Sequence, residues 1–249
     1  MTENLIALLT LFVLEIVLGI DNIIFLSILS EKLPADQQAK ARQTGIGLAV
    51  VGRLLLLLSI NWVLGLEADI FTIFGTGISW KDLILLVGGA FLIGKSTYEI
   101  HEKLEAAEHG GKAATKGKVT FTSVILQILM IDLVFSLDSV ITAVGIADHL
   151  WVMVVAIVSA AAIMLFASGY VASFVKRHPT TKILALAFLI LIGVLLVIEG
   201  WAGHAAEELH LKNYAYFAMA FSFIVEMINI RFRTNQAVSL NNQPKMPEH

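Results

Sequence analysis

At 249 residues, 57% hydrophobic and 15% charged, with a mean hydropathy of +0.82, the chain carries more apolar surface than a soluble domain of its size could bury. Its formal net charge of −3 and pI near 6.2 leave no basic patch, which excludes nucleic acid as a partner. The absence of cysteine excludes disulfides, thiolate metal sites and thiol chemistry.

Apolar runs near the ~20 residues that cross a ~30 Å hydrocarbon core predict seven transmembrane helices, at 5–29, 44–64, 83–98, 119–146, 150–175, 183–201 and 214–231. The expected class is therefore an all-α polytopic membrane protein whose main partner is the lipid bilayer. The first run has no basic n-region and passes through Asp21 without a cleavage site, so it reads as a permanent span rather than a signal peptide. Charged linkers with Pro34 and Gly110-Gly111 separate the early spans, and Arg177-His178-Pro179 stops the fifth. One transmembrane domain is expected over 1–232, followed by a polar cytoplasmic tail over 233–249.

Lysine and arginine sort between alternate loops. Lys32, Lys40 and Arg42 lie in the first, Lys103, Lys112, Lys116 and Lys118 in the third, Lys176, Arg177 and Lys182 in the fifth, and Arg231, Arg233 and Lys245 beyond the last span. Only Lys81 and Lys212 fall on the other side, so the N-terminus is expected outside and the C-terminus in the cytoplasm.

The first and fourth spans share a pattern. Glu15-Ile16-Val17-Leu18-Gly19-Ile20-Asp21-Asn22 and Asp132-Leu133-Val134-Phe135-Ser136-Leu137-Asp138-Ser139 both read as acid, five residues, Asp, then a small amide or hydroxyl. The two spans would cross the membrane in opposite senses, which predicts inverted repeats of three spans each, about 4–101 and 119–201, plus an extra helix at 213–232. Inverted repeats of this kind characterise transporters, with the site near the midplane where the copies meet.

An aspartate at the centre of a span costs about 2.5–3.5 kcal/mol on the lenient insertion scale, so Glu15, Asp21, Asp132 and Asp138 cost about 10 kcal/mol together. At 1.5 Å per residue, Glu15 and Asp132 fall about 20 Å from the cytoplasmic ends of their spans, near mid-membrane. Arg53 of the second span and hydroxyls such as Ser136, Ser139 and Thr142 are local candidates to satisfy any one acid. A single arginine is insufficient for four, whereas a bound divalent cation would serve. The candidate metal ligands are therefore Glu15, Asp21, Asn22, Asp132, Asp138 and Ser139, with Gly19, Arg53 and Ser136 in support. Six residues turn an ideal helix by about 600°, leaving the acids of each pair about 120° apart. This predicts an interruption of the first span near 19–22, with Gly19 as the point of unwinding.

Other polar residues rank lower. Ser222, Glu226 and Asn229 form one stripe on the last span, read either as functional or as a hydrogen-bonded seam. Lys95 and Glu99 read as a mutually neutralising i, i+4 pair. His101, Glu105, Glu108 and His109, and His204, Glu207, Glu208 and His210, have metal-compatible spacing but read as solvated loop residues. Met130, Met153 and Met164 read as packing residues.

At the two acidic segments the sequence resembles the TerC family of bacterial inner-membrane proteins. The likeness extends through Gly94 to His101-Glu102 and through Phe221 to Asn229, and covers residues 5 to about 231. It implies seven spans, membership of the lysine-exporter-like transporter superfamily, and a link to manganese efflux and tellurite resistance. Family acids map onto Glu15, Asp21, Asp132 and Asp138, and the resemblance favours Mn²⁺ over Ca²⁺ or Mg²⁺ as substrate, with no permanently bound cofactor. Two other functions compete with export of a metal ion. One is a non-transporting membrane partner that senses metal or delivers it to secreted metalloenzymes or the secretion machinery. The other, an intramembrane aspartyl protease, lacks a Gly-x-Gly-Asp match at Gly19-Ile20-Asp21 and any Pro-Ala-Leu segment.

Overall fold

The computed structural model describes residues 2–73, 76–108, 119–147 and 149–232, with the side chains of Leu18, Ile20, Asp21, Ile73, Thr76, Lys103, 105–108, Asp138, His204 and Glu207 outside the description. The elements are α1 (Thr2–Ser30), α2 (Ala35–Leu58), α3 (Ile60–Gly65), β1 (Asp69–Ile73), β2 (Thr76–Ser79), α4 (Trp80–Glu108), α5 (Phe121–Ile146), α6 (Leu150–Arg177), α7 (Pro179–Glu208) and α8 (Leu211–Phe232). Seven of the described helices are long and apolar enough to cross a membrane, and each contains one of the expected spans or most of it. The chain is an all-α polytopic membrane protein.

Local chemistry sets the boundaries. Pro34 precedes the first residue of α2, and Pro179 opens α7 at the position where a missing N–H costs nothing. The Thr120 side chain accepts a bond from the Ser123 N–H at 3.3 Å and caps α5. Before α4, the Ser79 N–H and hydroxyl both donate to Asp82, and the Asp82 N–H returns a bond to Ser79 Oγ at 3.1 Å, a reciprocal cap.

The antiparallel hairpin β1–β2 was not expected from the sequence. It follows the short α3 and leads into the cap of α4. Its signal was a set of β-branched and aromatic residues around Gly75, overshadowed by the apolar runs on either side.

Packing pairs the helices across the two halves of the chain: α1 lies along α6, α2 along α5 and α4 along α7. Leu11 clusters with Val152 and Ala156, and Ile23 with Ala160 and Met164, so α1 and α6 run parallel. Gly45 faces Ile128 and Leu57 clusters with Val140 and Ala143, so α2 and α5 also run parallel. The α4–α7 contact is antiparallel and reciprocal. A Cβ on Gly89 would fall 2.5 Å from the Gly193 carbonyl oxygen, and one on Gly193 would fall 2.8 Å from that of Gly89. Further along, a Cβ on Gly200 would meet the Asp82 carbonyl at 2.7 Å.

The obstacle at Gly89 is backbone, which cannot swing away. Gly89→Ala is therefore expected to destabilise the protein by about 1–3 kcal/mol through overpacking. Gly94→Ala, with no atom within 4 Å of the added carbon, is the control. Thermal unfolding in detergent checks this, and equal midpoints for the two variants would show that the contact yields.

Burial gives a second correspondence. The buried residues of α2 are Ala41, Gly45, Ile46, Arg53 and Leu57. Among the nine buried residues of α6, Val152, Ala156, Ile157, Met164 and Ser168 recur at the same intervals. Four of the five pairs match one uncharged small or aliphatic residue with another; the exception sets Arg53 against Met164.

Candidate functional site

Arg53 is the organising residue. It sits about five turns into α2, is only 4% exposed, and projects between the two acid-bearing helices. Its Nη1 donates to Glu15 of α1, and its Nη2 donates to Asp132 of α5 at 2.7 Å. Ser136, one turn beyond Asp132, donates its hydroxyl to the second carboxylate oxygen at 3.0 Å. Glu15 and Asp132 are thus at the same depth, as expected, and are bridged by one guanidinium.

In their ionised forms the three side chains carry a net charge of −1. Burial makes that residue of charge expensive unless another group joins it, because charges removed from water are stable only when paired.

The acids of each matched pair do not converge through a broken helix. Contrary to expectation, α1 is continuous from Thr2 to Ser30. Gly19 serves close packing instead: a Cβ there would lie 2.3 Å from the Met164 sulfur, so the bare backbone admits the α6 side chain. The side chains of Asp21 and Asp138 lie outside the described residues.

Beside Asp132 and Arg53 lies a cavity of about 40 Å³, whose walls also include Asn22, Met164, Phe25 and aliphatic side chains of α1, α2, α5 and α6, but not Glu15. Such a volume holds one or two water-sized groups. Asn22 faces it with an amide nitrogen that is buried and makes no hydrogen bond. A buried amide donor without a partner costs about 1–3 kcal/mol, so this wall of the cavity calls for a hydrogen-bond acceptor such as water.

Ser139 is turned elsewhere: its hydroxyl donates back along α5 to the Ser136 carbonyl at 3.3 Å. Glu226 is also remote from the acids. It accepts a hydrogen bond from Thr180 across the α7–α8 contact, while Asn229 is exposed.

The Lys95–Glu99 pair forms at 2.9 Å but is more than a local neutralisation. Glu99 is fully buried and is also held by Lys32, from the turn after α1. Lys182 at the start of α7 pairs with Glu31 at 2.6 Å. These bonds tie α1, α4 and α7 together at the end of the bundle where α1 finishes. Sequence spacing could not reveal the partners from α1, because Lys32 and Glu99 are 67 residues apart.

Among the described residues no group of three or more His, Cys, Asp or Glu gathers as a metal cluster. His109 lies outside the described residues, as do the side chains of Glu105, Glu108, His204 and Glu207. His210 makes a local contact at 2.9 Å with the Glu208 carbonyl.

Comparison with known proteins places this architecture. Residues 1–239 match the family model described as integral membrane protein TerC family. A protein named UPF0053 protein from Haemophilus influenzae is 52% identical over 232 residues, covering 93% of this chain and 95% of the relative. The UPF0053 inner membrane protein YgdQ of Escherichia coli K12 is 52% identical over 221 residues, covering 89% and 90%. The Escherichia coli protein YoaE, also named a UPF0053 inner membrane protein, is 48% identical over 228 residues, which is 92% of this chain but 43% of that protein. No solved structure matches. The paired acidic helices, the seven spans and the whole-chain match agree: this chain belongs to the TerC family of integral membrane proteins.

Proposed function

We propose that the protein is a transporter of the bacterial inner membrane that exports a divalent metal cation, Mn²⁺ being the best candidate, through the site between α1, α2 and α5. The observation that carries this reading is the Glu15–Arg53–Asp132 bridge. Two acids from matching segments meet at mid-helix on an internal cation, with a net charge of −1 and a polar-deficient cavity alongside. Arg53 stands where a metal ion would. When a divalent cation arrives, the two carboxylates exchange the guanidinium for the metal, with the Asn22 side-chain oxygen and water available to complete the shell. When the metal leaves, Arg53 returns and prevents the empty site from collapsing into an unpaired pair of charges. Asp21 and Asp138, six residues along each helix, provide further steps of an acidic path through the membrane. A proton taken up by a vacated carboxylate is the counter-charge that would make the cycle exchange.

The parallel α1–α6 and α2–α5 contacts, the reciprocal α4–α7 glycines and the recurring buried intervals of α2 and α6 support inverted repeats over about 4–101 and 119–201. Alternating access then corresponds to rocking of one unit against the other about the α4–α7 contact.

Orientation is tested with single cysteines in this cysteine-free chain. Introduced at Ala35, Gly110 and Ala206, they are expected to react with a membrane-impermeant reagent from outside only at the last position. External labelling at Gly110 would reverse the topology and remove the direction of export. Function is tested by counting ions moved into vesicles across a panel of Mn²⁺, Ca²⁺, Mg²⁺, Zn²⁺ and Fe²⁺. A protein that binds Mn²⁺ and moves none would be a metal sensor or delivery partner instead.

A further inference from the structure

We propose that Met164 is a specificity-determining ligand of the ion site, its thioether entering the coordination shell and favouring transition-metal cations over Ca²⁺ and Mg²⁺. This rests on the site reading above and names the substrate class more narrowly than carboxylates can.

Three observations place the sulfur. Met164 lines the same cavity as Asp132, Arg53 and the unpartnered Asn22 amide. It holds in α6 the place that Arg53 holds in α2, and Arg53 is the residue that reaches the acids. Its sulfur lies over Gly19, where any other residue would put a Cβ 2.3 Å away, so the sequence leaves room for it between the levels of Glu15 and Asn22.

Met164 is also a member of the small cluster with Ile23, Ala160 and Ala161, a packing role that leucine could fill. What leucine cannot supply is the lone pair. Ca²⁺ and Mg²⁺ take oxygen donors and gain little from a neutral sulfur that displaces a water, whereas first-row transition ions accept a thioether more readily, Mn²⁺ as the hardest of them the least so. A shell of carboxylates and one thioether thus penalises the abundant alkaline-earth ions without adding charge.

The absence of cysteine makes the test direct, because any sulfur bound to a metal in this chain must come from methionine. X-ray absorption of the purified full chain loaded with Mn²⁺ is expected to show one sulfur in the first shell, lost in Met164→Leu. In vesicles, Met164→Leu is expected to lower the ratio of Mn²⁺ to Ca²⁺ flux by about tenfold, the effect of about 1.4 kcal/mol. Gly19→Ala keeps the methionine but pushes its sulfur off α1, and is expected to shift the ratio in the same direction. A wild-type shell of oxygen and nitrogen alone, with an unchanged ratio in either variant, would overturn the inference and leave the carboxylate site standing. Failure of the wild type to bind Mn²⁺ at all would remove both.

Discussion

Glu15→Gln and Asp132→Asn are each expected to reduce Mn²⁺ flux in reconstituted vesicles by about 100-fold, the equivalent of about 3 kcal/mol of lost ion stabilisation, while leaving the protein folded. The asymmetry between flux and folding follows from the charge of the bridge. With both acids ionised the triad carries −1; either substitution leaves one carboxylate paired with Arg53 and a neutral core. The amide oxygen of the new side chain still accepts from the guanidinium, so Arg53 keeps both of its partners. A divalent ion, by contrast, loses half of the charge it is meant to find. The double variant should behave differently, because it strands Arg53 without an anion at 4% exposure, and poor yield is expected from it alone. Single variants that transport at the parental rate would make the acids structural. Single variants that fail to fold would show that the excess charge is itself balanced by something fixed.

The second large effect is expected at Arg53. Arg53→Met removes the internal cation and leaves two buried carboxylates facing each other, a loss of about 3–5 kcal/mol in the absence of metal. Mn²⁺ should restore much of it, since an ion bound only by the folded state contributes about 2.7 kcal/mol at 100 times its dissociation constant. The thermal midpoint of this variant is thus expected to depend steeply on Mn²⁺, and far more so than that of the parent, in which metal must first displace the guanidinium. Methionine is the apt replacement because α6 already carries one at the corresponding place. A variant as stable as the parent without metal would mean that protonated carboxyls satisfy each other. A variant whose loss Mn²⁺ cannot offset would mean that Arg53 is a structural tie rather than a stand-in for the ion.

The seven spans could be read from the sequence because lipid imposes one dominant constraint, a run of apolar residues long enough to cross, which overrides local propensity. The level of Glu15 and Asp132 could be read for the same reason: helical rise converts residue number to depth. What could not be read was azimuth. Whether Arg53 reaches one acid, two or none depends on how α2 rolls between α1 and α5, and no interval along a single helix encodes that. Gly19 misled for a related reason. Glycine marks either a backbone that bends or one that is closely approached, and only the position of Met164 in another helix distinguishes them. Met164 itself was indistinguishable from any core methionine until α2 and α6 could be compared by burial. The β1–β2 hairpin was hidden by its shortness, strands of five and four residues between two long apolar segments. The ties of Lys32 to Glu99 and Lys182 to Glu31 involve ends of helices distant in the chain, where charge near a span boundary reads as ordinary snorkelling.

In the proposed cycle, metal replaces Arg53 between Glu15 and Asp132. Anomalous scattering at the manganese edge, from crystals of the full chain grown with Mn²⁺, locates the ion without reference to transport. The expected result is a single peak within bonding distance of both carboxylates, with the Arg53 side chain withdrawn from them. A peak elsewhere, with the guanidinium still bridging Glu15 and Asp132, would contradict it.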